Sequence, residues 1–355
     1  MFKVFISASS LERLCRNEMT KNREDQNSWF VILTKQNIIY LDKDVYKELD
    51  YDDPLFTFSE SYNVMFKTSP VNYNEIVKTA PQKVLDNPQC AYLLDADVDT
   101  TDLLQKAFGI ICQSTSRLKD CILTSPQSKI TLLESEQLRS WKDLFNDGIA
   151  IPSNSLVIID RYIFAYEGKI KCGYKDGVAN IEHIIANTLP QKLACDYDIL
   201  ILFDESKSND RFYSIDKVAL ELENFKNKLN RPYQINIELF SVSSEAKNYE
   251  NTHNRKIISN YFIASADYQM KAFDKNSIAT CCQDLRLEYA YSTGLCNRSD
   301  PAIKMIDYLL KNISEMASEG AIAQKNNSDK ASEYELVQNG SQTTVDHIKN
   351  RLIFI

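Results

Sequence analysis

The feature that most constrains this fold is an alternation running from Ser155 onward. Short apolar, β-branched runs alternate with longer stretches whose apolar residues recur at helical spacing. Residues 199–203, Ile-Leu-Ile-Leu-Phe, are apolar without a break, as in a strand buried on both faces. Residues 156–166 predict another strand, and 234–242 a third. Residues 180–189 predict a helix that Pro190 ends. Residues 214–229 carry Val218, Leu222, Phe225 and Leu229 on one helical face. Strands and helices in this order imply α/β layers around a sheet with parallel pairs.

The first part of the chain repeats the theme less clearly. Strands are expected over 2–7, 29–34, 37–41, 91–94 and 109–113, and helices over 9–16, 102–108 and 134–145. A Gly-Pro-Ser-Asn-containing stretch at 148–154 marks a boundary. The expected organisation is therefore two mixed α/β domains, 1–150 and 151–316. A flexible polar linker over 317–344 follows, then an apolar segment, 345–355, that docks back.

Composition excludes several classes. The chain of 355 residues has 8 glycines and neither GxGxxG nor GxxxxGK[ST], so glycine-loop nucleotide binding has no support. A net charge of −8 argues against a general cationic coat for nucleic acid. A local basic stretch remains, because residues 247–275 hold five Lys/Arg against three Asp/Glu. No run of 18 apolar residues suggests a membrane span. Nine scattered cysteines without a CxxC pair fit buried, reduced thiols and a cytoplasmic setting, and no zinc or other metal site is expected.

The most specific chemistry lies in Thr252-His253-Asn254-Arg255-Lys256-Ile257-Ile258-Ser259-Asn260. A neutral imidazole at His253 can attack phosphorus or move a proton. Two residues on along a strand, Arg255 shares its face, and a guanidinium can hold two phosphoryl oxygens. Lys256 is a further phosphate-binding candidate on the opposite face. Asn260 joins the site only through a turn or bulge, and Ser265 adds a hydroxyl. Asp160 and Arg161 interrupt an apolar strand, where charges are costly unless paired. They are expected either to face His253 or to fix the strand's register as a pair.

The segment from His253 to Asp267 resembles the signature of the phospholipase D superfamily. That signature is His-x-Lys, four residues, Asp, then about six residues to a Gly-Ser pair. Here Arg255 stands for the lysine, Asn260 for the carboxylate and Ala264 for the glycine. The resemblance covers roughly residues 155–275. It implies a histidine nucleophile on a phosphodiester, cations that clamp its oxygens, and no metal or other cofactor. The family uses two motif copies and this chain has one, so the resemblance implies self-association of two chains. It also implies a nuclease of the kind found in bacterial defence or mobile-element systems, with nucleic acid as partner. The alternative expectation is a degenerate site on a retained fold, serving as a scaffold or subunit of a protein or nucleoprotein complex.

A second candidate lies in the first domain. Asp42, Asp44 and Glu48 follow one expected strand, and Asp95, Asp97, Asp99 and Asp102 follow another. Carboxylates gathered from separate loops can hold Mg²⁺. The arrangement resembles PIN-domain nucleases, in which a carboxylate ends the first strand. That position here is Ser7 or Ser9, and a solvated acidic turn is the simpler expectation.

Overall fold

A computed structural model describes residues 2–45, 50–69, 85–133, 140–145, 151–166, 172–274, 276–292 and 302–353. It is an α/β protein with two sheets and eight helices among the described residues. The chain divides into two compact units, Met1–Ser125 and Pro126–Ile355. The boundary expected near 150 therefore moves. The physical reason is a strand over Ser128–Leu132, which pairs antiparallel with Gln283–Tyr289 and so belongs to the second sheet.

The first unit is an open parallel sheet. Its strands are β1 (Lys3–Ile6), β2 (Ile38–Leu41), β3 (Met65–Thr68), β4 (Cys90–Leu94) and β5 (Ile111–Ser114), in the order β3-β2-β1-β4-β5. Helix α1 (Ala8–Glu18) starts one residue past β1, and the Ser7 hydroxyl caps it by accepting from the Ser10 amide. The Phe5 ring stacks between Tyr40 and Tyr92, at centroid distances of 5.0 and 4.6 Å, so one face of the sheet is aromatic. The run expected as a strand over 29–34 is instead helix α2 (Ser28–Leu33), capped by the Asn27 side chain. Helices α3 (Pro54–Tyr62) and α4 (Val98–Phe108) complete the described set.

The second unit carries a nine-stranded mixed sheet in the order β14-β13-β9-β8-β7-β10-β11-β12-β6. Its strands, in chain order, are β6 (Ser128–Leu132), β7 (Ser155–Ile159), β8 (Tyr197–Phe203), β9 (Ile235–Val242), β10 (Lys256–Ser259), β11 (Phe262–Ala266), β12 (Gln283–Tyr289), β13 (Tyr334–Gln338) and β14 (Ser341–Thr343). β7, β8 and β9 are parallel and buried along their whole length, as their apolar sequences require. β10 runs antiparallel to β7, with Lys256 opposite Ile159. Helices α5 (Trp141–Phe145), α6 (Tyr174–Thr188), α7 (Ile215–Lys228) and α8 (Ala302–Lys325) belong to this unit.

Two sequence expectations fail here. Residues 317–344 are no flexible linker: α8 continues to Lys325, and β13 adds to β9 with Leu336 opposite Phe240. Gly320 lets the helix approach that strand, since a Cβ there would lie 2.8 Å from the Tyr334 ring. The strand expected over 156–166 stops at Ile159, and Asp160 opens a turn. The terminal segment crosses the sheet at Asn350, whose side-chain amide donates to the Leu156 and Asp198 carbonyls.

Candidate functional site

The parallel order of the central strands puts the carboxyl ends of β7, β8 and β9 at one margin of the sheet. β10 begins there, because it runs the other way. Loops at the carboxyl ends of parallel strands are where open α/β sheets build sites. β7 ends in Asp160 and β8 in Asp204, both about 1% exposed. Asp160 accepts from the Tyr162 amide at 2.9 Å and the Met270 amide at 3.1 Å, which ties the turn after β7 to the loop after β11. Asp204 accepts from the Tyr249 hydroxyl and from the Ser206 amide.

Arg161 lies over the Tyr249 ring, 4.2 Å from its centroid, and donates through Nη2 to the Tyr249 and Glu250 carbonyls. Its Nε is buried without a hydrogen-bond partner. The pair expected between Asp160 and Arg161 is therefore absent among the described hydrogen bonds and ion pairs. Each instead holds a different loop.

His253 ends a short 3-10 turn, Tyr249–His253, and its ring meets Tyr162 edge-on at 6.0 Å. Its ring nitrogens make no hydrogen bond among the described residues, and the residue is exposed. Partial loss of water, then Arg161 and Arg255, hold its pKa below the ordinary histidine value, against Asp160 and Glu250. The imidazole is thus neutral at pH 7 and keeps a lone pair for attack or proton transfer. Arg255 follows, with its Nε buried and unpartnered. It lines a cavity of about 400 Å³ together with Lys207, Ser206 and three tyrosines, Tyr162, Tyr166 and Tyr268; none of the lining residues is acidic.

His253, Arg255, Asp160 and Arg161 therefore share one electrostatic neighbourhood. Lys256 and Ser265 sit opposite each other on β10 and β11, in a row just inside the same margin. Asn260 does not belong to this group. It lies at the far end of β10, about 13 Å of strand beyond Lys256 at ~3.3 Å per residue. Its Oδ1 accepts from the Asn154 and Ser155 amides and the Ser153 hydroxyl, and its Nδ2 donates to Asn154. The amide seals the β10–β11 turn to the start of β7. The other histidines are elsewhere: His183 on α6 and His347 beside Thr343, 2.8 Å from its hydroxyl.

Sequence reasoning missed Tyr162, Lys207, Tyr249 and Asp204. A signal for the last was present, because Asp160 and Asp204 each directly follow an unbroken apolar run, 156–159 and 199–203.

The acidic candidate of the first unit resolves differently. Asp95 sits where the strand order reverses between β1 and β4. Burial would raise its pKa, but hydroxyl donors Ser10, Ser7 and Thr115, with Arg13 nearby, outweigh this and hold it low. Asp42 accepts from the Ala8 amide, and Asp97 caps α4. Among the described residues no three or more His, Cys, Asp or Glu side chains gather as a metal site. Glu48 lies outside the described residues.

The chain matches no protein-family model, and no curated protein matches it significantly. Function has to be argued from the residues. No described helix is long and apolar enough to cross a membrane.

Proposed function

We propose that this chain handles phosphodiesters at the His253 margin of the nine-stranded sheet, in the manner of a phospholipase-D-like nuclease that needs no metal. The observation that carries the reading is an exposed imidazole beside two guanidiniums, next to a cavity lined by Arg255 and Lys207 and by no carboxylate. Arg255 and Lys207 supply the charge that holds phosphoryl oxygens. The His253 lone pair forms a P–N bond as the P–O bond to the leaving oxygen breaks. A second imidazole, from another copy of the chain and in its protonated form, gives that oxygen its proton; water then displaces His253 from phosphorus, and the proton the water loses returns to the second imidazole.

The test is cleavage of single- and double-stranded DNA and RNA in EDTA, with His253→Ala as control. Loss of a nucleophile predicts a fall of at least about 100-fold in rate. Activity that EDTA abolishes and His253→Ala spares would refute the reading.

A second reading, anion binding without turnover, is favoured by one observation. Asn260, at the motif's carboxylate position, is wholly engaged in holding a turn. In that case wild-type protein binds an oligonucleotide without cleaving it, and Arg255→Ala weakens binding while His253→Ala does not.

A further inference from the structure

The 400 Å³ cavity does not stand alone. Tyr166 and Asn209 also line a larger one, of about 1080 Å³, so the two adjoin. The larger is bounded by the start of α6 and by the loop from Asn209 to Phe212. Apolar rings are normally withdrawn from water, yet Tyr166, Phe212 and Tyr268 are each about half exposed (48%, 55% and 52%). They are three of the four exposed aromatic residues among the described residues of this unit, the other being Tyr308.

The charges around the rings are arranged unequally. Asp176, Asp210 and Asp274 line the larger cavity, but each is spent on backbone amides. Asp176 accepts from Gly173, Asp210 from Tyr174 and Phe212, and Asp274 from Asn276 and Ile278. Lys175, Lys207, Arg211 and Arg255 form no ion pair among the described residues. Arg211 instead lies 4.4 Å over the Phe212 ring. The acids shape the loops, while the cations remain available to a ligand.

We propose that the larger cavity is a base-stacking subsite for single-stranded nucleic acid, continuous with the phosphate position at Arg255. This rests on the phosphodiester reading above and names its substrate class. Flat, half-exposed rings interleaved with unpaired cations match alternating bases and phosphates. A duplex keeps its base faces stacked on each other and cannot offer them to Tyr166 or Phe212. Stacking also explains how a chain of net charge −8 can hold a polyanion, since part of the affinity then comes from rings rather than from counterion release.

The experiment is fluorescence anisotropy in EDTA with three labelled probes of equal length. They are a single-stranded oligonucleotide, its blunt duplex, and an abasic strand with the same phosphodiester backbone. Wild-type protein is expected to bind the base-bearing strand about tenfold or more tightly than the duplex or the abasic strand. Phe212→Ala is expected to erase most of that preference while leaving abasic binding unchanged. Because the probe comparison uses wild-type protein, it does not depend on the variants folding. Equal binding of abasic and base-bearing strands, lost in Arg255→Ala, would overturn the stacking subsite and leave the phosphodiester reading intact. Base-dependent binding indifferent to Arg255→Ala would overturn the phosphodiester reading instead. A preference for the duplex overturns the subsite outright.

Discussion

At the scale of single residues, polar side chains of one sequence motif serve opposite ends of one strand. His253 and Arg255 stand at the open margin, whereas Asn260, seven positions after His253, is buried under Ser153, Asn154 and Ser155. Spacing along the sequence could place all three in one motif. Only the hairpin at residues 260–261, between β10 and β11, shows that the third faces away. Removing its carbonyl takes the side-chain acceptor from two buried backbone amides, those of Asn154 and Ser155. Asn260→Ala is therefore expected to cost about 3 kcal/mol, measured by urea unfolding. The same variant should leave oligonucleotide affinity unchanged wherever it remains folded. A large loss of affinity with little loss of stability would return Asn260 to the site.

Elements position the site by close approach. The turn carrying Asp160 to Ala165 is pressed against α6, and a Cβ on Gly177 would come within 2.0 Å of the Ile163 carbonyl oxygen. Backbone cannot rotate out of the way as a side chain can. Alanine would gain about 1 kcal/mol in helix propensity, but overpacking against a fixed carbonyl costs about 2–3 kcal/mol and wins. Gly177→Ala should thus lower stability by a net 1–2 kcal/mol and displace the turn. The check is the exchange of the Ile163 and Ala165 amides, which donate to the Asp160 and Tyr162 carbonyls. Faster exchange at those two amides is expected, and unchanged exchange with unchanged stability would sink the idea.

Elements also differ in how legible they are. β8 could be read directly, because burial on both faces demands an apolar run such as 199–203, and β9 from the alternation of its apolar residues. The run at 29–34 could not, since five apolar residues and a threonine fit either element, and Asn27 as a cap decides for the helix. β13 hides in a polar stretch because it is short and its buried Tyr334, Leu336 and Val337 are set between the partly exposed Glu335 and Gln338. Of the site, His253 and its flanking cations were legible as chemistry. Tyr249 and Lys207 were not, for they reach it from loops brought together only by the sheet order β9-β8-β7-β10.

For the molecule as a whole, the closing segment introduces a pH dependence. Glu238, fully buried on β9, accepts from the Lys349 and Asn350 amides and from Gln338, and burial pushes its carboxyl up to about 7. A carboxyl raised above its unfolded value favours the native state only while it is protonated. Its contribution is complete below about pH 4.3 and is lost as pH rises through about 7. The penalty at pH 8 is on the order of 3 kcal/mol at most. Glu205, also raised to about 7 by burial, adds a slope of the same sign. Stability measured by urea unfolding should therefore decline between pH 5 and 8, and Glu238→Gln should flatten that decline. A variant profile parallel to the wild type would rule Glu238 out as the source.

The order of strands has one more consequence, and it concerns biosynthesis. β9 is buried along all eight residues, yet the strand that covers its free side, β13, comes about a hundred residues later. At elongation rates of roughly 5–20 residues per second, that is about 5–20 seconds on the ribosome. During that interval Ile-Asn-Ile-Glu-Leu-Phe-Ser-Val presents an open apolar edge, the kind that recruits stray strands. The cell that makes this chain must shield β9 until β13 arrives.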